Sequence, residues 1–433
     1  MMTQNIFKFP AKSEWQSLLT RPTLEKKNLR ELVQDIFSEV KLNGDSALQD
    51  FSEKFDGVKI EQFSVSNEEI ENASAEVSED LKNAIKQAKD NILKFHNSQK
   101  NEINKIETQP GISCWRESRA IENVGLYIPG GTAPLFSTIL MLAIPAKIAG
   151  CKNIILCTPP QKDGKINPVI LFTAQLCGVE KIYKVGGAQA IAALTFGTET
   201  VPKVDKIFGP GNQYVTAAKE LAVDNGVAID MPAGPSEVLV IADSSANPEF
   251  CAADLLSQAE HGIDSQVIFI ATDETIFEKT LEEINLQVEE LPRNEIAKKA
   301  LENSRFILLD SVENALEFSN LYAPEHLILS IENPENYIDL IVNAGSVFLG
   351  NYSPEAAGDY ATGTNHTLPT NGFARNYSGV SLDSFVKKIT FQNLTEIGLK
   401  NIGKSVELMA EAEGLFAHKN AVSLRLKSLE NGI

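Results

Sequence analysis

The chain has 433 residues, of which 39 are Lys or Arg and 58 are Asp or Glu, so its formal net charge is −19. Its hydrophobic content of 43% and charged content of 22% are typical of a folded globular protein and exclude an extensively disordered one. The acidic balance, without a Lys/Arg-rich run to offset it, argues against nucleic acid as a partner. The length predicts two to four domains at roughly 100–200 residues each.

The sequence has no segment typical of export or membrane insertion. Residues 1–15 contain no apolar stretch like that of a signal peptide, and the most apolar segment, Ser137 to Cys151, is too short to span a bilayer. The five cysteines form no CxxC pair, and their odd number fits a reducing compartment. We therefore expect a cytoplasmic protein that does not associate with membranes.

The hydrophobic pattern changes along the chain. The first hundred residues indicate charged helices, with a capping box at Ser66 and Glu69 and helical spacing of apolar residues from Val77 to Phe95. Short apolar runs then alternate with helical stretches, and the last fifty residues return to helix. The predicted strands are Asn153–Thr158, Lys181–Val185, Asp205–Phe208, Val227–Asp230, Glu237–Ala242, Gln266–Ala271, Arg305–Leu309, Leu327–Ser330 and Ser346–Leu349. This alternation predicts two α/β halves with parallel sheets and crossover helices.

Four glycine-containing loops lie at the ends of predicted strands or helices. They are Ile128-Pro129-Gly130-Gly131, Gly186-Gly187, Gly209-Pro210-Gly211-Asn212 and Ala233-Gly234-Pro235-Ser236. Glycine there lets a backbone approach a ligand and exposes helix N-terminal N–H groups to an anion such as a pyrophosphate. None matches GxGxxG, and each alone is equally explained as a tight turn. Four at neighbouring strand ends favour a ligand site, because open α/β sheets bind ligands there.

Histidine is scarce, with only five residues in the chain. We expect His96, in a charged helix, to be solvated. Asn247 as N-cap and Gly262 as C′ predict a helix over Pro248–His261, with Gln258 and His261 on one face of its last turn. His261 there has two interpretations, a favourable interaction with the helix dipole or, with Gln258, a pair of metal ligands.

Three further segments combine histidine with carboxylates. Glu325 and His326 adjoin a predicted strand, as a pair for proton transfer or as a surface acid beside a capping His. The irregular stretch 353–369 contains Asp359 and His366, and the chain end contains Glu413 and His418. Residue patterns alone do not show whether the fold brings these groups together.

At these motifs the sequence resembles the histidinol dehydrogenases, zinc-dependent enzymes of histidine biosynthesis. The matching stretches occur in family order from about residue 120 to 425. They are Val124–Gly131, Val185–Ala190, Phe208–Asn212, Asp230–Glu237, Asp254–Gly262, Pro324–Leu327, Gly345–Gly350, Ala357–Ala361, Gly363–His366 and Ala417–Ala421.

The resemblance implies NAD-dependent oxidation of L-histidinol to L-histidine through bound L-histidinal, with one Zn²⁺ per subunit. Each functional role falls on a position of this chain. Gln258, His261, Asp359 and His418 match the metal ligands, and Glu325 and His326 match the catalytic acid–base pair. All six also match residues that contact the substrate. Further substrate contacts are matched by Ser236, His366 and Glu413, and NAD contacts by Tyr127, Gln189 and Asn212.

The resemblance also implies an α/β fold with two incomplete Rossmann-like parallel-sheet domains and small helical N- and C-terminal parts. The expected parts are a helical segment 1–25, a zinc and catalytic domain 26–120 plus 237–380, an NAD-binding domain 121–236 and a helical dimerisation tail 381–433. It implies a homodimer in which the residue matching His418 reaches the partner's site. Without the resemblance, an acidic α/β protein with clustered His and Asp also fits a zinc-dependent hydrolase or a metal-binding module.

Overall fold

The structure is a computed structural model, and it describes residues 5–22, 26–130, 134–232 and 234–431. The chain divides into two compact units. The first comprises Met1–Gln99 and Ile121–Phe385, and the second comprises Lys100–Ala120 and Val386–Ile433. The domain boundaries predicted from the sequence remain predictions.

Strands and helices mostly alternate from Asn123 to Leu349, as predicted. The strands are β1 (Ile6–Lys8), β2 (Ile106–Gln109), β3 (Ile112–Ala120), β4 (Asn123–Tyr127), β5 (Asn153–Thr158), β6 (Lys181–Lys184), β7 (Lys206–Phe208), β8 (Ala228–Ile229), β9 (Glu237–Ala242), β10 (Gln266–Ala271), β11 (Arg305–Leu308), β12 (His326–Ser330), β13 (Ser346–Leu349) and β14 (Val386–Leu394). The helices are α1 (Trp15–Leu18), α2 (Lys26–Phe51), α3 (Asn67–Glu76), α4 (Glu79–Asn97), α5 (Phe136–Ala149), α6 (Pro168–Leu176), α7 (Gly187–Phe196), α8 (Gln213–Asp224), α9 (Pro248–Ala259), α10 (Glu274–Glu290), α11 (Asn294–Glu302), α12 (Val312–Tyr322), α13 (Glu355–Tyr360), α14 (Glu396–Ala412) and α15 (Phe416–Glu430).

A six-stranded parallel sheet forms half of the first unit, in the order β1-β11-β10-β9-β12-β13. Its central strands are apolar on both faces because helices cover both. Val240 and Phe269 face one buried cluster with α9, α10 and α11, whereas their neighbours Ile241 and Ile270 face another with α12 and Trp15. Each such fully buried side chain contributes about 1.5–3 kcal/mol to stability. This is why the strands read as continuous apolar runs rather than alternating ones.

The other half is a five-stranded parallel sheet in the order β6-β5-β4-β7-β8. Strands β4, β5 and β6 lie in reverse chain order, and the direction of winding changes between β4 and β7. The six-stranded sheet repeats this arrangement, with its change between β9 and β12. Each is the strand order of an incomplete Rossmann-like sheet, so the predicted fold class of two parallel α/β halves is confirmed.

The second unit contains an antiparallel sheet in the order β14-β3-β2 and the antiparallel-paired helices α14 and α15. The sheet was not predicted from the sequence. Several apolar side chains on this unit's helices are more than half exposed, among them Leu408, Met409, Phe416 and Leu424.

The structure confirms one of three local predictions and corrects the other two. The capping box is confirmed, since Ser66 and Glu69 exchange hydrogen bonds of 3.0 and 3.2 Å. The helix predicted over Pro248–His261 ends at Ala259, so His261 lies beyond the last turn. The prediction that His96 is solvated is wrong, because α4 packs on α5 and buries the ring, whose Nδ1 lies 3.0 Å from the Ile92 carbonyl oxygen.

Among the described residues, no helix combines the length and apolar character needed to cross a membrane.

Candidate active site

Glu325 and His326 lie buried at the amino end of β12, beside the first residue of the neighbouring strand β9. Glu325 Oε2 accepts the backbone N–H of Glu237 at 2.9 Å, and His326 Nδ1 lies 3.1 Å from the Glu237 carbonyl oxygen. Gln258, in the last turn of α9, places its Nε2 3.3 Å from the same oxygen and 3.1 Å from His326 Nδ1. The acid–base pair predicted from the sequence is therefore held by the backbone of one residue.

Three carboxylates surround the imidazole of His326. Its Nδ1 is 3.7 Å from Glu325 and 3.8 Å from Glu355, and its Nε2 is 3.7 Å from Asp359. Glu355 was not predicted as a site residue. The available signal was its position four residues before Asp359, because this spacing puts both carboxylates on one face of α13.

Burial and charge shift the titration of this cluster in opposite directions. Burial raises the pKa of Glu325 to about 8 and that of Glu355 to about 8, and His326 opposes both shifts. Burial alone would lower the pKa of His326, but the charges of Glu355, Glu325 and Asp359 outweigh it and raise the pKa well above its usual value. An imidazole in this setting can hold a proton that it has received, because the surrounding carboxylates stabilise the imidazolium.

The site contains donor atoms suited to a divalent cation. Among the described residues, His326, Glu355 and Asp359 form a His/Cys/Asp/Glu group whose ligand atoms lie within 4.8 Å of one another. Of these three residues, only Asp359 was predicted from the sequence as a metal ligand. Of the other predicted ligands, Gln258 is buried, and its Oε1 has no hydrogen-bond partner in the described part of the chain. His261 is exposed beyond the end of α9 rather than on its last turn.

His366 connects the acidic cluster to the five-stranded sheet. Its Nδ1 is 2.9 Å from the Asp359 carbonyl oxygen, and its Nε2 is 3.0 Å from Thr138 Oγ1 on α5. The adjacent Asn365 is buried and donates to the Met141 carbonyl oxygen on the same helix at 2.6 Å. The predicted substrate contact His366 therefore lies where the two α/β halves meet.

The other predicted substrate contacts lie in different places. Ser236 is half-buried and directly precedes β9, next to the acid–base pair. Glu413 ends α14, and His418 lies in the first turn of α15, both in the second unit and both exposed.

The glycine loops of the five-stranded sheet meet at the carboxyl ends of its strands. A Cβ atom at Gly130 would lie 2.2 Å from Pro159, and one at Gly186 would lie 2.4 Å from it, so these two loops pack directly on the end of β5. Gly209 has φ +129°, and a Cβ there would lie 2.1 Å from the Tyr127 carbonyl oxygen. Only glycine fits these close approaches. Gly131 and Ala233 lie outside the described residues.

The predicted NAD contacts lie on these strand ends. The hydroxyl of Tyr127, at the end of β4, accepts the Gly187 N–H at 3.1 Å, at the start of α7. Gln189 is buried in the first turn of α7, and Asn212 caps α8 by accepting the N–H groups of Tyr214 and Val215.

A buried ion pair missed by the sequence prediction holds the Gly209 loop. Lys219 Nζ lies 2.5 Å from Asp230 and donates to the Gly209 carbonyl oxygen at 2.9 Å, while Asp230 accepts the Gly209 N–H at 2.8 Å. A lysine in a helical pattern is normally predicted to lie on the surface, so the ion pair of Lys219 and Asp230 is evident only from the structure.

Two parallel sheets with a buried acid–base cluster at one and glycine-lined strand ends at the other define an α/β enzyme. A sequence model of the histidinol dehydrogenase family matches residues 19–426. The chain is 58% identical over 425 residues to a histidinol dehydrogenase of Bacteroides thetaiotaomicron, covering 98% of this chain and 99% of the relative, and 56% identical to one of Haemophilus influenzae, covering 97% of each. The crystal structure of a histidinol dehydrogenase from Elizabethkingia anophelis superposes with a TM-score of 0.97 at 63% identity, covering 98% of each chain. The chain belongs to the histidinol dehydrogenase family of NAD-dependent oxidoreductases, as the sequence motifs predicted.

Proposed function

We propose that this protein oxidises L-histidinol to L-histidine in two NAD⁺-dependent steps, through L-histidinal that stays bound, as the last step of histidine biosynthesis. The observation that carries the proposal is the match to histidinol dehydrogenases over nearly the whole chain, at 58% identity in the Bacteroides thetaiotaomicron relative. The buried pair Glu325 and His326 supports it, because oxidation of an alcohol and then of an aldehyde needs a group to take a proton at each step.

In the first step, His326 in its neutral form takes the hydroxyl proton of histidinol as a hydride passes from the carbinol carbon to NAD⁺. Its Nε2 is buried and has no hydrogen-bond partner among the described residues, the Asp359 carboxylate being 3.7 Å away, so it is available to accept that proton. The surrounding carboxylates stabilise the imidazolium that forms. In the second step, Glu325 in its ionised form takes a proton from water as the water adds to the aldehyde. The resulting hydrate anion loses a second hydride to another NAD⁺ and becomes the carboxylic acid, which releases its proton to solvent to give the carboxylate.

This activity is tested by mixing the purified chain with L-histidinol and NAD⁺ and following absorbance at 340 nm. We expect two NADH for each histidinol consumed, with histidine as the product. A zinc-dependent hydrolase or a metal-binding module would form no NADH, so the absence of absorbance change would contradict the proposal and favour one of those alternatives.

We further propose that Gln258, His261 and Asp359, with His418 of the partner subunit, hold one Zn²⁺ per subunit. The donor set of one amide oxygen, imidazoles and a carboxylate suits zinc, and the unpartnered buried Oε1 of Gln258 is available as a ligand. When bound, the ion would act as a template that fixes the imidazole and amine of the substrate.

Removal of the metal tests this ligand set. We expect dialysis against a chelator to abolish histidinol oxidation and added Zn²⁺ to restore it, because the substrate loses its template. His261→Ala should lose bound zinc in elemental analysis, whereas Lys299→Ala, a change at an exposed position of α11, should keep one ion per subunit. Full activity in protein shown to be metal-free would contradict the proposal.

We propose that the enzyme is a homodimer with shared active sites. Support comes from the second unit, where His418 is exposed and α14 and α15 leave Leu408, Met409, Phe416 and Leu424 more than half exposed. Monomeric proteins rarely expose apolar groups so densely.

A cytoplasmic location, predicted from the cysteines, is consistent with all five being free thiols, and fractionation of cells followed by immunodetection tests it.

A further inference from the structure

A nearly buried arginine from the N-terminal segment reaches the acid–base cluster. Arg21 is paired with Glu237 in a two-point contact, Nε to Oε1 at 2.5 Å and the terminal nitrogen to Oε2 at 3.0 Å, with side chains 12% and 3% exposed. The guanidinium also lies 3.8 Å above the ring centre of Tyr322. Such a planar two-point pair fixes both orientation and distance, which a lysine could not do.

Glu237 connects this arginine to the proposed base pair. Its side chain is fixed by Arg21 and by the N–H of Asn371 at 3.0 Å, and its backbone N–H and carbonyl oxygen contact Glu325 and His326 at 2.9 and 3.1 Å. A rotation of the Glu237 backbone would therefore move both groups at once. A side chain that contacts the Glu237 carboxylate can therefore affect Glu325 and His326 through the Glu237 backbone.

Arg21 also holds the segment that leads into Glu325 and His326. Its terminal nitrogen donates to the carbonyl oxygen of Tyr322 at 2.8 Å and approaches that of Ala323 at 3.4 Å. Ala323 ends α12 with φ +56°, a left-handed conformation that costs energy for a residue with a side chain. The guanidinium contacts the carbonyl oxygens of Tyr322 and Ala323, on either side of this left-handed residue.

We propose that Arg21 is a positioning residue for the oxidation: it connects the starts of β9 and β12 and thereby sets the distance between Glu325, His326 and the substrate. Arg21 does not touch the reacting atoms. The inference rests on the proposed function, and it adds a segment outside every motif that carried the family resemblance. Loss of the guanidinium should leave substrate and NAD⁺ binding largely intact and slow the chemical steps.

The test compares Arg21→Met with Arg30→Met. Arg30 pairs with Asp224 at 2.7 Å on the surface, with both side chains more than half exposed, so its loss is a matched control for removing an ion pair. We expect kcat of Arg21→Met to fall about 10²-fold, the typical effect of displacing a catalytic group by about 1 Å, with little change in KM. Arg30→Met should keep wild-type values.

A second readout separates positioning from a merely structural role. If hydride transfer becomes slower, the isotope effect on kcat with histidinol deuterated at the carbinol carbon should increase in Arg21→Met. A smaller fraction of folded enzyme would lower the rate and leave the isotope effect unchanged. The part of the effect that passes through Glu237 should vanish when Glu237→Gln is already present, so the double variant should lose less than the two single losses combined.

The outcomes separate the two proposals. Wild-type protein that forms no NADH from histidinol overturns the proposed function and this inference with it. Active wild-type protein, together with Arg21→Met that retains kcat or loses it with an unchanged isotope effect, overturns this inference alone. Additive losses in the double variant likewise contradict a route through Glu237.

Discussion

Glu325→Gln is expected to slow the oxidation of supplied histidinal by about 10²- to 10⁴-fold, the usual effect of removing a general base. Glutamine keeps the shape and can still accept the Glu237 N–H at the Oε2 position, but it cannot take a proton from water. Oxidation of histidinol to the aldehyde should be affected less, because His326 is the proposed base for that step. Single-turnover NADH formation from each substrate measures the two steps separately.

A control beyond the other end of β12 guards against indirect effects. Glu332 follows β12 and is exposed, so Glu332→Gln makes the same substitution without touching the cluster. We expect this variant to oxidise both substrates at wild-type rates. Equal losses in the two steps for Glu325→Gln would mean that Glu325 maintains the local structure instead of deprotonating water.

Mixing two inactive variants is expected to restore activity to roughly a quarter of wild type. His261→Ala and His418→Ala should each be inactive alone, because each removes one of the proposed metal ligands from every site. When the two are unfolded together and refolded, about half of the dimers are mixed. In a mixed dimer with shared sites, one site collects both defects and the other collects none, so half of the sites in half of the dimers are intact.

The same experiment distinguishes a site built within one chain. If each site were built within one chain, every site would still lack one of the two histidines, and no activity would return even with complete subunit exchange. Exchange is verified with a differently tagged wild type, and Lys427→Ala, an exposed change on α15 like His418→Ala, should stay active alone. No recovery after proven exchange would rule out the shared site.

The alternation of apolar runs was enough to predict most of the fold. The predicted strand over Gln266–Ala271 and the helix beginning at Pro248 agree with the structure because local pattern and capping decide them. The edge strand β1 was missed, since three residues carry too little pattern and the strand exists only through its pairing with β11. The three-stranded antiparallel sheet was missed for a similar reason, because β14 pairs with a segment more than 260 residues earlier.

The motifs identified the chemical groups of the site but not how they are arranged. Glu325 and His326 were predicted as a pair, yet the feature that orients them, the Glu237 backbone, belongs to a different strand. Glu355 was missed because an acid in an irregular segment reads as a surface group. Arg21 and Lys219 were missed because burial of a cation requires a partner distant in sequence, and nothing in the local pattern identifies that partner.

By itself, the sequence determined the α/β class, the family and the residue types that the reaction needs. These follow from hydrophobic periodicity and from short motifs, both of which are local properties. Only the tertiary structure decided that His96 is buried, that His261 lies beyond its helix and that Arg21 reaches the acid–base cluster through Glu237. Each of these depends on packing between segments far apart in the chain, because burial and ion pairing are set by whichever surface the fold brings alongside.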